Sequence, residues 1–425
     1  MKKRIMCLFP CILALLSGCQ KESPADDTVP ADQLTERKDL VLTRAELDFI
    51  QENNGFALEL FKKVAAKAEG ESMLISPLSV TIDFGLINNG ASGETQDEIN
   101  RVLGYKEGST EGLNAFCRSI MSQSGEVDPS TTLDMPNAAV VNNRYVSLKE
   151  SFTNTIQSVY EAEVVYKDFG TDDVMGLINQ WCYEKTRGMI PYFLQQPPEE
   201  NEYAHFLNAV YFKGIWSSKF RKNDTKKADF MLDNGSRSSV RMMWQRGKFN
   251  YGFIENVCQA LCLPYGNQAY RMTVLLPIEG KTIEDVKASL NAKSWETMVK
   301  GMSGREVDVK IPAFETATEL IPMRNALNEM GIRNAFSPLD ADFSEMTDQS
   351  GIYVNQVWHK AKITVDETGS EVAAVTDIAV SYSAPPSGAS IGLPVIKFHC
   401  DKPFLYAITE VSSGAIFFLG QYTGR

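Results

Sequence analysis

The chain has 425 residues, 44% of them apolar, enough for the core of one large mixed domain or of two or three smaller ones. Its formal charge is −12, and about −15 once the segment before Cys19, with Lys2, Lys3 and Arg4, is removed. That acidic balance disfavours a nucleic-acid partner, which wants a basic face, and mostly serves solubility.

Lys2-Lys3-Arg4 opens the chain with positive charge, and Ile5 to Leu16 follow as an apolar core of about a dozen residues, too short to span a bilayer as a mature helix. The core ends in Leu16-Ser17-Gly18-Cys19, which resembles the lipobox of bacterial lipoproteins. The resemblance implies a signal peptide over 1–18, lipid on Cys19 and a membrane anchored through it. Several acyl chains on one residue would hold firmly. Gln20, in place of Asp, implies retention at the outer membrane of a Gram-negative-type cell envelope, on either face. The plainer alternative is a cleaved secretory signal. Residues 19–42 read as the lipidated N-terminus and a flexible polar tether.

A helix is expected from Thr43, where Thr43 and Glu46 have capping-box spacing, with Asn53-Asn54-Gly55 as a candidate interruption before Phe56, Leu60 and Val64 resume the period. Ser76 and Pro77 open the next helix and Asn89-Gly90 close it. Thr95 and Glu98 have the spacing of another cap, with an end near Gly104. Met135 to Tyr145 reads as a strand, Phe152 to Tyr160 as a short helix, Val164 to Tyr166 as a strand and Asp172 to Arg187 as a helix stopped by Gly188. Strand character then dominates: His205 to Phe212, Met272 to Leu276, and Val307, Val309 and Ile311 alternating with charge. One helix, Leu320 to Met330, precedes Gly331. Phe404 to Thr409 and Ala415 to Leu419 form a terminal pair around Ser412-Ser413-Gly414. Helices concentrate early and strands late without regular alternation, an α+β pattern.

The stretch from Thr364 to Ile396 joins strand chemistry to loop chemistry. Ser370, Val372, Ala374, Thr376, Ile378 and Val380 share one parity and carry no charge, whereas Glu371 and Asp377 lie on the other. Alternate residues face opposite sides of a strand, so one side could be buried. The segment nevertheless runs into Ala384-Pro385-Pro386-Ser387-Gly388, an exposed-loop composition.

No catalytic constellation stands out. Gly388-Ala389-Ser390-Ile391-Gly392 matches a nucleophile-elbow pattern, but prolines flank it where a strand and a helix are required, and His399 follows too closely. Only three histidines exist, and no Walker loop, G-x-G-x-x-G or H-E-x-x-H occurs, so neither metal nor cofactor is expected. Beyond the signal and Cys19, Cys117, Cys182, Cys258, Cys262 and Cys400 read as small buried residues.

From Gly55 to the C-terminus the chain resembles the serpins. Ile75-Ser76-Pro77-Leu78-Ser79-Val80, Leu207-Asn208-Ala209-Val210-Tyr211-Phe212-Lys213-Gly214-Ile215-Trp216 and Phe398-His399-Cys400-Asp401-Lys402-Pro403-Phe404 carry the resemblance in order and spacing. It implies an α+β serpin fold over 43–425, a single domain acting as a monomer, with about nine helices, three β-sheets and an exposed reactive-centre loop at about 367–394. It implies a protease as partner, not an enzymatic activity: the protease attacks the loop, forms an acyl-enzyme, and is trapped covalently when the freed loop inserts into the main sheet. The hinge would be Glu367, Gly369, Ser370, Glu371, Val372, Ala373, Ala374 and Val375, small and mostly uncharged. The latch beneath the sheet, the shutter, would be Ser76, Ser79, Asn179 and His359, and Trp216 would mark the breach where insertion starts. Locally, Ser76 also reads as an N-cap and His359 as a satisfied core histidine. Counted from Gly369, the cut falls at Tyr382–Ser383 or Ser383–Ala384. Without Lys or Arg between Lys362 and Lys397, a chymotrypsin-like or elastase- or subtilisin-like target is expected rather than a trypsin-like one, with papain-like cysteine proteases as a further class for Tyr382. The alternative is a non-inhibitory surface binding protein of the same fold.

Overall fold

The computed structural model describes residues 36–68, 70–105, 110–370 and 394–425. Helix α1 (Arg44–Ala65) starts with the expected reciprocal cap: Glu46 N–H donates to Thr43 Oγ1, and the Glu46 carboxylate accepts from Thr43 N–H at 2.6 Å. It runs unbroken through Asn53-Asn54-Gly55. Asn53 Nδ2 donates to Thr81 Oγ1 and Leu103 O, and Asn54 donates to Gly414 O, so these polar side chains bind neighbouring elements instead of turning their own backbone.

Strand β1 (Met73–Ile75) leads into α2 (Pro77–Asn88), capped by Ser76 Oγ, which accepts from Ser79 N–H at 3.2 Å. Helix α3 (Gly93–Leu103) begins before the proposed Thr95–Glu98 cap. Thr95 Oγ1 accepts from Asp342 N–H, and Glu98 accepts from the Arg333 and Asn334 amides, so the pair serves tertiary contacts. Helix α4 (Glu111–Ser124), strands β2 (Thr131–Asp134) and β3 (Asn137–Asn142), helix α5 (Glu150–Tyr160), strand β4 (Glu163–Lys167) and helix α6 (Val174–Lys185) follow.

The expected run at His205–Phe212 is two strands, β5 (Ala204–Asn208) and β6 (Tyr211–Ile215). Beyond them lie β7 (Lys226–Met231), β8 (Arg237–Ile254), β9 (Cys258–Tyr265), β10 (Tyr270–Pro277), α7 (Ile283–Ser289), α8 (Ala292–Gly301) and β11 (Ser303–Ala317). Then come β12 (Ile321–Pro322), α9 (Arg324–Met330), β13 (Trp358–His359), β14 (Lys362–Val365), β15 (Gly369–Ser370), β16 (Ile396–His399), β17 (Phe404–Glu410) and β18 (Ile416–Tyr422).

Strand β11 is the spine. Its first part pairs antiparallel with β8 and parallel with β16, and its last residues, Phe314 to Ala317, pair with β14. The continuous order is β1-β18-β17-β10-β9-β8-β11-β14-β15-β6-β2. Strand β7 pairs antiparallel with β8 off this path, and a three-stranded sheet β4-β3-β5 and the pair β12-β13 complete the pairing of the named strands. Helix α1 packs on β18 and on α2, α8 and α9, and one core runs from Phe49 and Phe61 to Phe417 and Tyr422. This mixed architecture is the α+β fold expected.

The N-terminal approach differs from a free tether. Leu40 is buried, its amide donates to Ser412 Oγ at 3.0 Å, and Val41 exchanges hydrogen bonds with the Gln123 carboxamide. The packed body therefore reaches back past the boundary at Thr43. Among the described residues no helix is long and apolar enough to cross a membrane.

Candidate functional site

Between β14 and β15 the chain turns tightly. Asp366 N–H donates to Gly369 O at 2.9 Å, and Asp366 Oδ1 accepts from Thr368 N–H at 2.7 Å and Gly369 N–H at 3.2 Å. An aspartate that hydrogen-bonds the backbone two residues on stabilises such a turn. The turn sends Gly369 and Ser370 back into the sheet. Ser370 pairs with Val365 on one side and with Gly214 on the other, and Gly369 pairs with Ile215. Among the described residues, β6 and β14 are joined only through β15.

The reason for glycine at 369 is proximity. A Cβ there would stand 2.1 Å from Gly214 O and 2.7 Å from Ile215 Cα, and both are backbone atoms. Its φ is not in the left-handed region. The structure thus gives Gly369 a steric role: only glycine lets the returning strand approach β6 this closely.

Trp216, fully buried, seals this end of the sheet. Its amide donates to Thr368 O at 2.8 Å and its indole Nε1–H to Asp366 O at 2.9 Å, while Phe220 N–H donates to Glu367 O at 3.0 Å. The indole stacks on Tyr265 with centroids 4.5 Å apart and planes at 11°. The Tyr265 hydroxyl meets Ser370 Oγ at 2.6 Å, so the Ser370 side chain faces the core. Burial pushes the Tyr265 phenol up, so it stays neutral. Glu367 is buried beside Arg241, with a 2.5 Å ion pair. Burial alone would raise its carboxyl, but a hydrogen bond from its own amide and the Arg241 guanidinium hold it below the usual range.

A second cluster lies at the start of α2. Ser76 N–H donates to His359 Nε2 on β13 at 3.1 Å. The Ser79 hydroxyl donates to Asn208 Oδ1 on β5. Asn208 Nδ2 donates to Asn137 Oδ1 on β3 at 2.8 Å, and Asn137 Nδ2 to Tyr160 O at 2.7 Å. One helix turn therefore holds β5 through Ser79 and β13 through Ser76. His359 is buried and neutral, its pKa lowered to about 4 by desolvation.

Asn179, expected in this cluster, makes its contacts elsewhere. Its Oδ1 accepts from Phe193 and Leu194 amides at 2.8 and 2.7 Å, and its Nδ2 donates to Leu194 O at 2.9 Å. It fastens α6 to the segment that follows. Asn208 occupies the place beneath the strands, with Asn137 behind it. A single amide in the apolar run Phe206 to Phe212 was the available signal for Asn208.

Glu371, Val372, Ala373, Ala374 and Val375 of the hinge, Tyr382, Ser383 and Ala384 at the expected cut, the motif at 388–392 and Cys19 lie outside the described residues. Cys117, Cys182, Cys258, Cys262 and Cys400 are buried free thiols. No group of three or more metal-ligating side chains occurs among the described residues.

Comparison with known proteins agrees with this architecture. The family model described as "Serpin (serine protease inhibitor)" matches residues 51–424. The chain is a serpin. Leukocyte elastase inhibitor of Homo sapiens is 31% identical over 382 residues, covering 87% of this serpin and 98% of the relative. Iripin-1 of Ixodes ricinus is 31% identical over 376 residues, covering 87% and 93%. Among solved structures, the native thermophilic serpin tengpin aligns with a TM-score of 0.79 at 25% identity, over 94% of this serpin and 100% of that chain. Thyroxine-binding globulin complexed with its ligand aligns at a TM-score of 0.78 and 24% identity, over 88% and 98%, which speaks for the fold alone.

Proposed function

We propose that this serpin inhibits proteases as a suicide substrate, by inserting its cleaved loop between β6 and β14. One observation carries the reading: Gly369 and Ser370 already occupy that position, with Ser370 turned into the core. Ser370 fixes the phase of any strand that continues it. Alternation then turns Val372, Ala374, Thr376, Ile378 and Val380 to the same buried side and Glu371 and Asp377 to the other. The uncharged parity of the sequence is thus the parity that insertion requires.

Ser76, Ser79, Asn208 and His359 act in this reading as the latch that yields when β5 and β13 part. The bait is Tyr382 or Ser383, and the target a chymotrypsin-like or an elastase- or subtilisin-like protease. The protein works as a monomeric inhibitor rather than a catalyst, anchored to the cell envelope by lipid on Cys19. Incubation of the chain from residue 36 with chymotrypsin and with pancreatic elastase tests the inhibitory reading. A covalent complex that survives SDS is expected. Cleavage without complex and without a gain in thermal stability would mean a non-inhibitory binding protein. N-terminal sequencing of the released fragment identifies the bond. Expression of Cys19→Ser in a Gram-negative host tests the anchor: the wild type should fractionate with outer membrane and the variant should not.

A further inference from the structure

Beneath the sheet, a cavity of about 290 Å³ lies among α2, β5 and the segment 352–358 that leads into β13. Asp83 of α2 lines it together with Phe84, Phe206 and Trp358. The Asp83 Oδ1 is shielded from solvent and has no hydrogen-bond partner among the described residues. No lysine or arginine lines the cavity.

An ionised carboxylate with a shielded, unpartnered oxygen is costly, so the group either stays protonated or recruits a cation. Burial pushes the Asp83 carboxyl well up, in line with the protonated form. The remaining titratable groups that line the cavity do not supply the cation. Glu202 is paired with His205 at 2.8 Å, while Glu199, Tyr203 and Tyr353 add only acidic or neutral groups. Aromatic side chains and a carboxylate lining one cavity favour an ammonium group on an apolar body, since a ring face and the carboxylate both attract it. The volume lies near the lower end of ligand cavities, which run from roughly 300 to 1,000 Å³.

We propose that this cavity binds a small organic cation, a primary ammonium on an aromatic or aliphatic body, with Asp83 as its counter-ion. Binding requires the ionised carboxylate, so each cation bound displaces one proton from Asp83 into the buffer. Affinity therefore falls as pH falls.

The probe is benzylamine, titrated calorimetrically into the protein in phosphate and in Tris at one pH, with benzyl alcohol as the uncharged control. Saturable binding of benzylamine is expected, with heats that differ between the two buffers by the ionisation of the buffer. Asp83→Asn, which copies the shape of the protonated acid, is expected to weaken benzylamine at least tenfold and leave the alcohol unaffected. Equal affinity in wild type and Asp83→Asn, equal heats in both buffers, or no saturable binding by the wild type would each overturn the site. The buffer comparison and the alcohol control use the wild type alone, so they decide the question even where Asp83→Asn fails to fold.

Discussion

Trp216 and His359 are both buried, but they hold their strands by different means. At Trp216 the contacts run largely through backbone: its own amide to Thr368 O, the Phe220 amide to Glu367 O, and the ladder of Gly369 and Ser370 with β6. At His359 they run through side chains, from Ser79 to Asn208 to Asn137, with the imidazole accepting from Ser76. A backbone ladder can be extended by any residue that fits sterically, so the first end suits growth of a strand. A side-chain latch depends on particular atoms and on protonation, so the second suits opening and reclosing. The two ends should therefore fail differently.

The largest expected effect lies at the latch. His359 has a folded pKa of about 4, against about 6.5 when unfolded. Below pH 6.5 the unfolded chain takes up a proton that the folded one refuses, so stability declines with falling pH and levels off near pH 4. The loss across that window is about 3 kcal/mol, and protonation also removes the acceptor for Ser76 N–H. Glu367, held below its ordinary value of 4.5, adds its loss only at lower pH. Urea unfolding at pH 7, 5.5 and 4.5 should show the decline in the wild type and a flatter profile in His359→Gln. The same slope in both proteins would remove His359 from the account.

Next comes the ladder end. Gly369→Ala sets a Cβ against Gly214 O and the backbone of Ile215, where no flexible side chain can yield. Overpacking of this kind costs about 1–3 kcal/mol. The variant should withdraw β15 from the sheet and shift the products from SDS-stable complex toward cleaved protein. An unchanged ratio of complex to cleaved product would show that insertion does not start at Gly369.

How legible these two ends were in the sequence follows from the same contrast. The first turn of α2, the cap at Thr43 and the alternation in β11 were readable, since local chemistry decides them. Strand β8 was not. Its 18 residues include Arg237, Arg241, Arg246 and Lys248, and long-range pairing with β7, β9 and β11 holds them in place of an apolar alternation. Helices α4, α7 and α8 were likewise missed. Gly369 was named through the serpin resemblance, but the steric demand for glycine there was not legible, because the atoms it must avoid lie about 150 residues earlier in the chain. Asn179 and Asn208 are both amides in plausible settings. Only tertiary contacts separate the one that ties α6 to Leu194 from the one that meets Ser79.

That separation gives the third prediction. Asn208→Ala strands the Ser79 hydroxyl and Asn137 Oδ1, and Asn179→Ala strands the Phe193 and Leu194 amides. Leaving a buried polar group unpaired costs about 1–3 kcal/mol, so both variants should lower the unfolding midpoint. Only Asn208→Ala should also change the rate of complex formation with a protease, because only Asn208 lies on the latch. Equal kinetic effects would merge the two residues into one network.

The smallest effect is expected at Arg241, which pairs with Glu367 from the ladder end. The guanidinium is largely exposed, with 61% of its side chain open to water, whereas the Glu367 side chain is 5% exposed. Surface partners of this kind contribute under about 1 kcal/mol, and salt screens them. Glu367 keeps its own amide hydrogen bond when the arginine is removed, and its carbonyl keeps the Phe220 amide. Arg241→Ala should thus leave the unfolding midpoint nearly unchanged at high salt and lower it slightly at low salt, with the complex-to-cleaved ratio intact. A fall in that ratio as large as for Gly369→Ala would move the ion pair from the periphery of the ladder to its control, and the steric account of the hinge would have to share its place with an electrostatic one.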